Sequence, residues 1–391
     1  MDGIKDILNN KRITTKERVK IMKIKKFIAL ILTVVMAAAL LAGCGSSKGG
    51  AASTTTAASE NAASEDKPVT LKFAIYLASG SRYETAVVEP FVKAVEERSN
   101  GSIKFELYTG ATLCAADATL DAVKDGLADI GWLYTGNFTG ALPITFMMEY
   151  PTYFASAKAA SYTLRDYLQE LKPAELNGTH LLMAFCSGEG ILINNKHEIR
   201  TPDDVKGLEI RVNGIMADTI SAFGGTPVAM VASEAYEAIR SGIVDGYMAT
   251  PDSVNNFKLY EVTNYATRVH FCNTTHLTLM NENVYNKLSD NQKKILDECA
   301  EEVFEQSGCN WFEQSATTVY EEFAKSGTVT YLTAEEEQPF LDLTESLITD
   351  YAAKLDSQGL EGTKALELMY SLRDKYNEMY PESENKYVPE T

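Results

Sequence analysis

The feature that most constrains this chain is an internal repeat. The segment DAVKDGLADIGWL, Asp121 to Leu133, reappears as EAIRSGIVDGYMA, Glu237 to Ala249, thirteen positions without a gap at a constant offset of 116. Gly126 falls on Gly242 and Asp129 on Asp245. Each copy has the form of a helix end, a glycine cap where φ must turn positive, and a buried strand. A strand and a loop precede each copy, KFELYTGATL before the first and GGTPVAMVAS before the second. Two β-loop-α-β units imply two lobes of similar build, and 391 residues are enough for two cores.

The pattern around the repeat agrees. VTLKFAIYL and SIKFELYTG alternate as strands do, and LADIGWLY is a third strand. Val87, Val88, Phe91, Val92 and Val95 recur at helical spacing, with Asn100-Gly101 as the stop. Strands alternating with helices predict an α/β fold with largely parallel sheets. From LSDNQKKILDECAEEVFEQ onward the chain is acidic and helical in pattern, with Ser289 as an N-cap and Asp290 in the first turn. The expected layout is a first lobe over residues 68–193, a second over 194–275, and a helical region over 276–391 that crosses and packs on both.

The N-terminus is of another kind. Lys23, Lys25 and Lys26 precede an apolar run from Phe27 to Leu41 that ends in Leu41-Ala-Gly-Cys44. A basic segment, a short apolar core and small residues form a secretory signal over residues 1–43, with Met22 the better-placed start. The ending resembles the bacterial lipobox, which makes Cys44 the lipidated first residue of the mature chain. The following Gly/Ser/Ala/Thr-rich stretch, residues 44–67, is a flexible tether. The whole chain carries −18; residues 1–43 contribute +6 of it, so the remainder carries −24. So acidic a body is unsuited to nucleic acid.

Enzyme signatures are absent: no phosphate loop, no Gly-x-Ser-x-Gly elbow, no His-Glu-x-x-His. His270 and His276 have no third or fourth ligand nearby in sequence, and Asp203-Asp204 suit the first turn of a helix. Cys114, Cys186, Cys272, Cys299 and Cys309 are an odd set without metal-ligand spacing, and the expectation is five buried thiols acting as small hydrophobes. The sequence nominates no catalytic residue, no metal and no cofactor.

What it does nominate is binding. Two α/β lobes form a cleft, and ligands favour the carboxyl ends of strands. The residues at such ends are Tyr76, Trp132 with Tyr134, the run Arg211-Val212-Asn213, and the segment GYMATPDS, Gly246 to Ser253, with Tyr247 and Met248. Arg211 stands in KGLEIRVNG, where Leu208, Ile210 and Val212 alternate with Glu209 and Arg211. Alternation leaves two readings open: a solvated residue on a wet face, or a fixed cation in the cleft. The guanidinium is a planar fork suited to a carboxylate. Met248 and Trp132 are equally consistent with lobe packing.

The runs IRTPDDVKGLEIRV, FGGTPVAMVASEAYEAIRSGIVDG and FKLYEVTNYATRVH then identify a resemblance. From Leu71 to about Glu302 the chain resembles the substrate-binding proteins of tripartite ATP-independent periplasmic (TRAP) transporters, of the dicarboxylate-binding type. The resemblance implies a two-lobed, venus-flytrap-like α/β fold with a long helix linking the lobes. It also implies a bound organic acid handed to a membrane permease of one small and one large subunit, and an extracytoplasmic, monomeric protein. It places Arg211 on the ligand carboxylate. The sequence departs from the family's pattern at Gly190, where many members carry an arginine in that segment. It departs again at Tyr247-Met248-Ala249, where amide, acidic or Trp residues are common. Those departures imply a monocarboxylate with an apolar or aromatic body. A receptor that presents its ligand state to a signalling partner would share the same fold and cleft.

Overall fold

The structure, a computed structural model, describes residues 66–212, 214–309 and 311–381. The signal segment and Cys44 lie outside the described residues, and so does Asn213. No helix among the described residues is long and apolar enough to cross a membrane.

Among the described residues eleven strands form two sheets. The first has the order β2-β1-β3-β10-β4, built from Ile103–Tyr108, Val69–Ile75, Ile130–Tyr134, Thr275–Asn281 and Thr179–Cys186. Strands β1, β2 and β3 are mutually parallel, and β10 runs antiparallel to both β3 and β4. The second has the order β11-β9-β5-β8-β6-β7: Thr328–Tyr331, Tyr265–Val269, Gly190–Asn194, Gly246–Ala249, Glu209–Val212 and Thr226–Ala229. Here β6 is parallel to both β7 and β8, and β5 is antiparallel to β8 and β9. Each sheet thus has a parallel three-strand half, as the two-lobed α/β expectation requires.

The repeat occupies matching places in the two halves. Gly126 and Gly242 end their helices at φ +78° and +76°. Asp129 and Asp245 open β3 and β8, and each carboxylate accepts from the backbone N–H of the neighbouring parallel strand. Lys72 N–H reaches Asp129 Oδ2 at 2.8 Å, and Glu209 N–H reaches Asp245 Oδ2 at 2.9 Å. The repeated aspartates are therefore strand ties.

The chain passes between sheets three times. Residues 187–189 link β4 to β5, and residues 270–274 link β9 back to β10. The third passage is helical. The helix Asp290–Val303, capped by Ser289 and Gln292, packs on the first sheet's β4; a π turn, Phe304–Gly308, bends the chain. The helix Trp311–Ala324 then packs on β9 and β11 of the second sheet. The 24-residue helix Ala334–Ser357 rests on Met216–Ala222 of one lobe and Met147–Glu149 of the other. Within the region expected to be helical, β11 is a strand, and β10 completes the first sheet. Their short runs carry too little periodicity to stand out beside the helices that follow.

Gly190 explains its own departure. A Cβ built there would lie 2.3 Å from Cys272 Cβ, because two of the crossing segments touch at this point. An arginine does not fit. Cys186, Cys272, Cys299 and Cys309 are buried free thiols, whereas Cys114, on a loop, is only partly covered.

Candidate functional site

The second lobe contributes β6 and β8, which pair in parallel with Arg211 beside Tyr247. Both side chains lie on the face covered by the helices Ala235–Ser241 and Trp311–Ala324, among Ile193, Ile239 and Val319. That cover corrects the wet-face reading: Glu209 is exposed, but Arg211 is only 4% exposed. Its Nε and Nη2 donate to Met230 O at 3.0 and 2.7 Å, and its guanidinium carbon stands 4.8 Å from the centre of the Tyr247 ring. Among the described residues no carboxylate pairs with it, so a buried cation is held by one carbonyl and one aromatic face. Tyr247 Oη in turn shares a hydrogen bond of 2.6 Å with Ser253 Oγ.

Met248, next along β8, points to the opposite face and packs in the core at 1% exposure. The structure thus separates it from Arg211 and Tyr247.

The first lobe contributes an aromatic stack. Trp132 on β3 lies between Tyr83, at a ring separation of 4.2 Å, and His276 on β10, at 5.0 Å with planes only 4° apart. Tyr76, one residue past β1, stacks on Trp132 at 4.9 Å. Trp311, from the connecting helix, meets the His276 ring edge-on at 6.0 Å. Burial pushes the His276 pKa down to about 3, so the ring is neutral. The indole Nε1 of Trp132 is buried with no partner among the described residues, as are His276 Nδ1 and Trp311 Nε1.

Two acidic groups complete the neighbourhood; sequence reasoning misses Glu149 and reaches Asp252 only as part of the strand-end segment Gly246 to Ser253. Glu149 is 1% exposed; its Oε1 accepts from Thr135 Oγ1, Thr275 N–H and Thr275 Oγ1 at 2.6 to 3.1 Å, and its Oε2 from Tyr134 Oη at 3.1 Å. Burial raises its pKa to about 7 against the opposing pull of those donors. Asp252, just after β8, has a carboxyl whose pKa burial also raises. Burial raises the pKa of Tyr76, and the charges of Asp252 from the second lobe and Glu149 from the first add to the rise. No local motif marks Glu149, whose partner Thr275 lies far off in sequence, or Asp252, whose Oδ1 has no partner among the described residues.

His270, weighed in the sequence with His276 as a metal pair, is instead bonded through Nδ1 to Glu337 Oε1 at 2.8 Å, with both residues buried. Among the described residues no group of three or more His, Cys, Asp or Glu could hold a metal ion.

The body thus has two α/β lobes, with a buried cation that no carboxylate of the described residues pairs with in one and an aromatic stack in the other. The chain belongs to the family of bacterial extracellular solute-binding proteins, family 7, which matches residues 73–355. Among curated relatives, the 2,3-diketo-L-gulonate-binding periplasmic protein YiaO of Escherichia coli is 26% identical over 237 residues, 60% of this chain and 72% of that protein. Two solved TRAP solute-binding proteins share the fold. One, from Desulfovibrio salexigens, is 28% identical with a TM-score of 0.71, covering 82% of this chain and 99% of its own; the C-terminus of a symmetry mate is bound in its ligand site. The other, from a marine metagenome and specific for aromatic acids, holds 3-hydroxybenzoate. It is 26% identical with a TM-score of 0.73, covering 80% of this chain and 99% of its own.

Proposed function

We propose that this protein captures a small organic monocarboxylate between its lobes and delivers it to the permease subunits of a TRAP-type secondary transporter. Arg211 is the anchor for the carboxylate. The observation that carries this reading is its burial at 4% exposure without an acidic partner, since a buried cation of this kind is stabilised when an anion completes it. Tyr247, Tyr76 and Trp132 supply the apolar and aromatic wall against which the rest of the acid lies; Asn213, two residues after Arg211 in the sequence, belongs to the same proposal. Carboxylates recur among the proteins this chain resembles: an aromatic acid in one, a chain terminus in another. The protein binds and releases its ligand without chemical change.

The leader over residues 1–43 directs export, and Cys44 carries the lipid that tethers a monomeric body to the outer face of the cell membrane. A Cys44→Ala protein is expected in the medium or soluble fraction instead of the membrane fraction. The ligand test is a thermal-shift screen over organic acids, since a ligand that binds the native state raises the melting temperature by mass action. At least one monocarboxylate should stabilise the protein. In Arg211→Ala that ligand's affinity should fall by roughly 30-fold or more, the loss of a desolvated charge pair. An unchanged shift in Arg211→Ala defeats the assignment.

A further inference from the structure

Asp252 is a polar group of the site that a carboxylate on Arg211 leaves unused. It lies in the helix Pro251–Asn256 directly after β8. Among the described residues no cation is among the groups acting on its carboxyl. Its Oδ1 is buried and has no hydrogen-bond partner among the described residues. An acceptor left bare in this way is destabilising until a donor meets it. The next residue, Ser253, shares a hydrogen bond of 2.6 Å with Tyr247 Oη, and the Tyr247 ring lies under Arg211, so Asp252 belongs to the same neighbourhood as the anchor; its charge also adds to the raised pKa of Tyr76 in the first lobe.

We propose that the bound acid carries a second group, a hydrogen-bond donor, which binds Asp252 Oδ1, and that Asp252 thereby selects hydroxy- or amino-substituted carboxylates over their unsubstituted parents. This inference rests on the carboxylate reading of Arg211 and adds the second pole of the ligand. The discrimination follows from the cost of the alternative: an unsubstituted acid closes the site over an acceptor with nothing to accept. A hydroxyl and an ammonium share the donor chemistry and differ in charge.

The test is calorimetric titration of the purified protein with two matched series. One is benzoate, 3-hydroxybenzoate and 3-(aminomethyl)benzoate; the other is hexanoate, 6-hydroxyhexanoate and 6-aminohexanoate. In at least one series a donor-bearing member should bind roughly tenfold tighter than its parent, or more, as a hydrogen bond to a charged acceptor gives. Asp252→Ala should bring that ratio towards one. Asp252→Asn, which keeps an acceptor oxygen and loses the charge, should preserve a preference for hydroxyl and abolish one for ammonium. Parents that bind as tightly as their substituted forms in both series overturn the inference while leaving the Arg211 reading standing, and this arm needs no variant. A ratio that survives Asp252→Ala also overturns it. If none of the six acids binds, the carboxylate reading falls and this inference falls with it.

Discussion

In the first lobe the Glu149 carboxylate is buried with its oxygens engaged by Thr135, Thr275 and Tyr134. In the second lobe the Arg211 guanidinium is buried with two of its N–H groups on a single carbonyl. The parallel halves of the two sheets match position by position. Ala74 pairs with Gly131 in β1 and β3, Arg211 pairs with Tyr247 in β6 and β8, and Gly131 and Tyr247 stand 116 apart, the offset of the repeat. Arg211 and Tyr247 therefore occupy the places of Ala74 and Gly131, while Trp132 occupies the place of Met248. One framework has put its large side chains on opposite faces in the two lobes. A buried charge whose hydrogen-bonding capacity is met within its own lobe is structural; one with donors to spare is the place to look for a ligand.

The largest effect should come from the pair Trp132 and Met248. If both are core residues at equivalent positions, Trp132→Ala should cost about 3–5 kcal/mol of unfolding free energy and Met248→Ala about 2–5 kcal/mol, measured by chemical denaturation. Trp132→Phe separates packing from recognition. It keeps most of the ring and removes the unpartnered Nε1. A drop in ligand affinity larger than the drop in stability places the indole N–H on the ligand, and matching losses confine Trp132 to the core.

Next is the pH dependence set by Glu149. Its carboxyl is raised by burial to about 7 from an ordinary value of 4.5. The folded state therefore binds more protons than the unfolded state between those values. The stabilisation is fully present below about pH 4.5 and is lost as pH rises through 7, with an amplitude of roughly 3 kcal/mol. Glu149→Gln, a neutral isostere, should remove this slope over that window. A wild-type protein equally stable at pH 4.5 and pH 7.5, after correction for the remaining groups, would contradict the buried-acid half of the comparison.

These effects also mark where the sequence stops being informative. The helix-glycine-strand unit is legible because its signals are local: the 3.6-residue and two-residue periods and a glycine cap identify it without any partner. Arg211 was only half legible. Its strand can be read, but alternation leaves the wet face and the cleft both open, since nothing in KGLEIRVNG reveals that the helices Ala235–Ser241 and Trp311–Ala324 cover that side. The resemblance to a known family, not the pattern, pointed it at a ligand. Glu149 leaves no trace, because it is defined by Thr275, 126 residues away; Asp252 falls in the strand-end segment Gly246 to Ser253 but is singled out only by an atom that lacks a partner. Gly190 looked like a lost arginine until the close approach of Cys272 showed a steric requirement.

The smallest effect tests the symmetry itself. Asp129 and Asp245 each accept one backbone N–H from the neighbouring parallel strand, at 2.8 and 2.9 Å, and each returns its own N–H to that strand, to Lys72 O at 3.0 Å and Glu209 O at 2.7 Å. If the repeat preserves a strand tie and nothing more, Asp129→Ala and Asp245→Ala should each cost about 1–2 kcal/mol, the price of one lost side-chain acceptor for a backbone donor. Asp245 also meets Lys196 Nζ at 3.0 Å, but that lysine is half-exposed and the pair adds only a few tenths of a kcal/mol. The two losses should therefore agree within about 0.5 kcal/mol and, the residues being in separate sheets, should add in the double variant. A much larger loss at either site would mean that one lobe has given its aspartate work the other does not share, and the equivalence from which Arg211 and Ala74 were matched would no longer hold at that end of the strands.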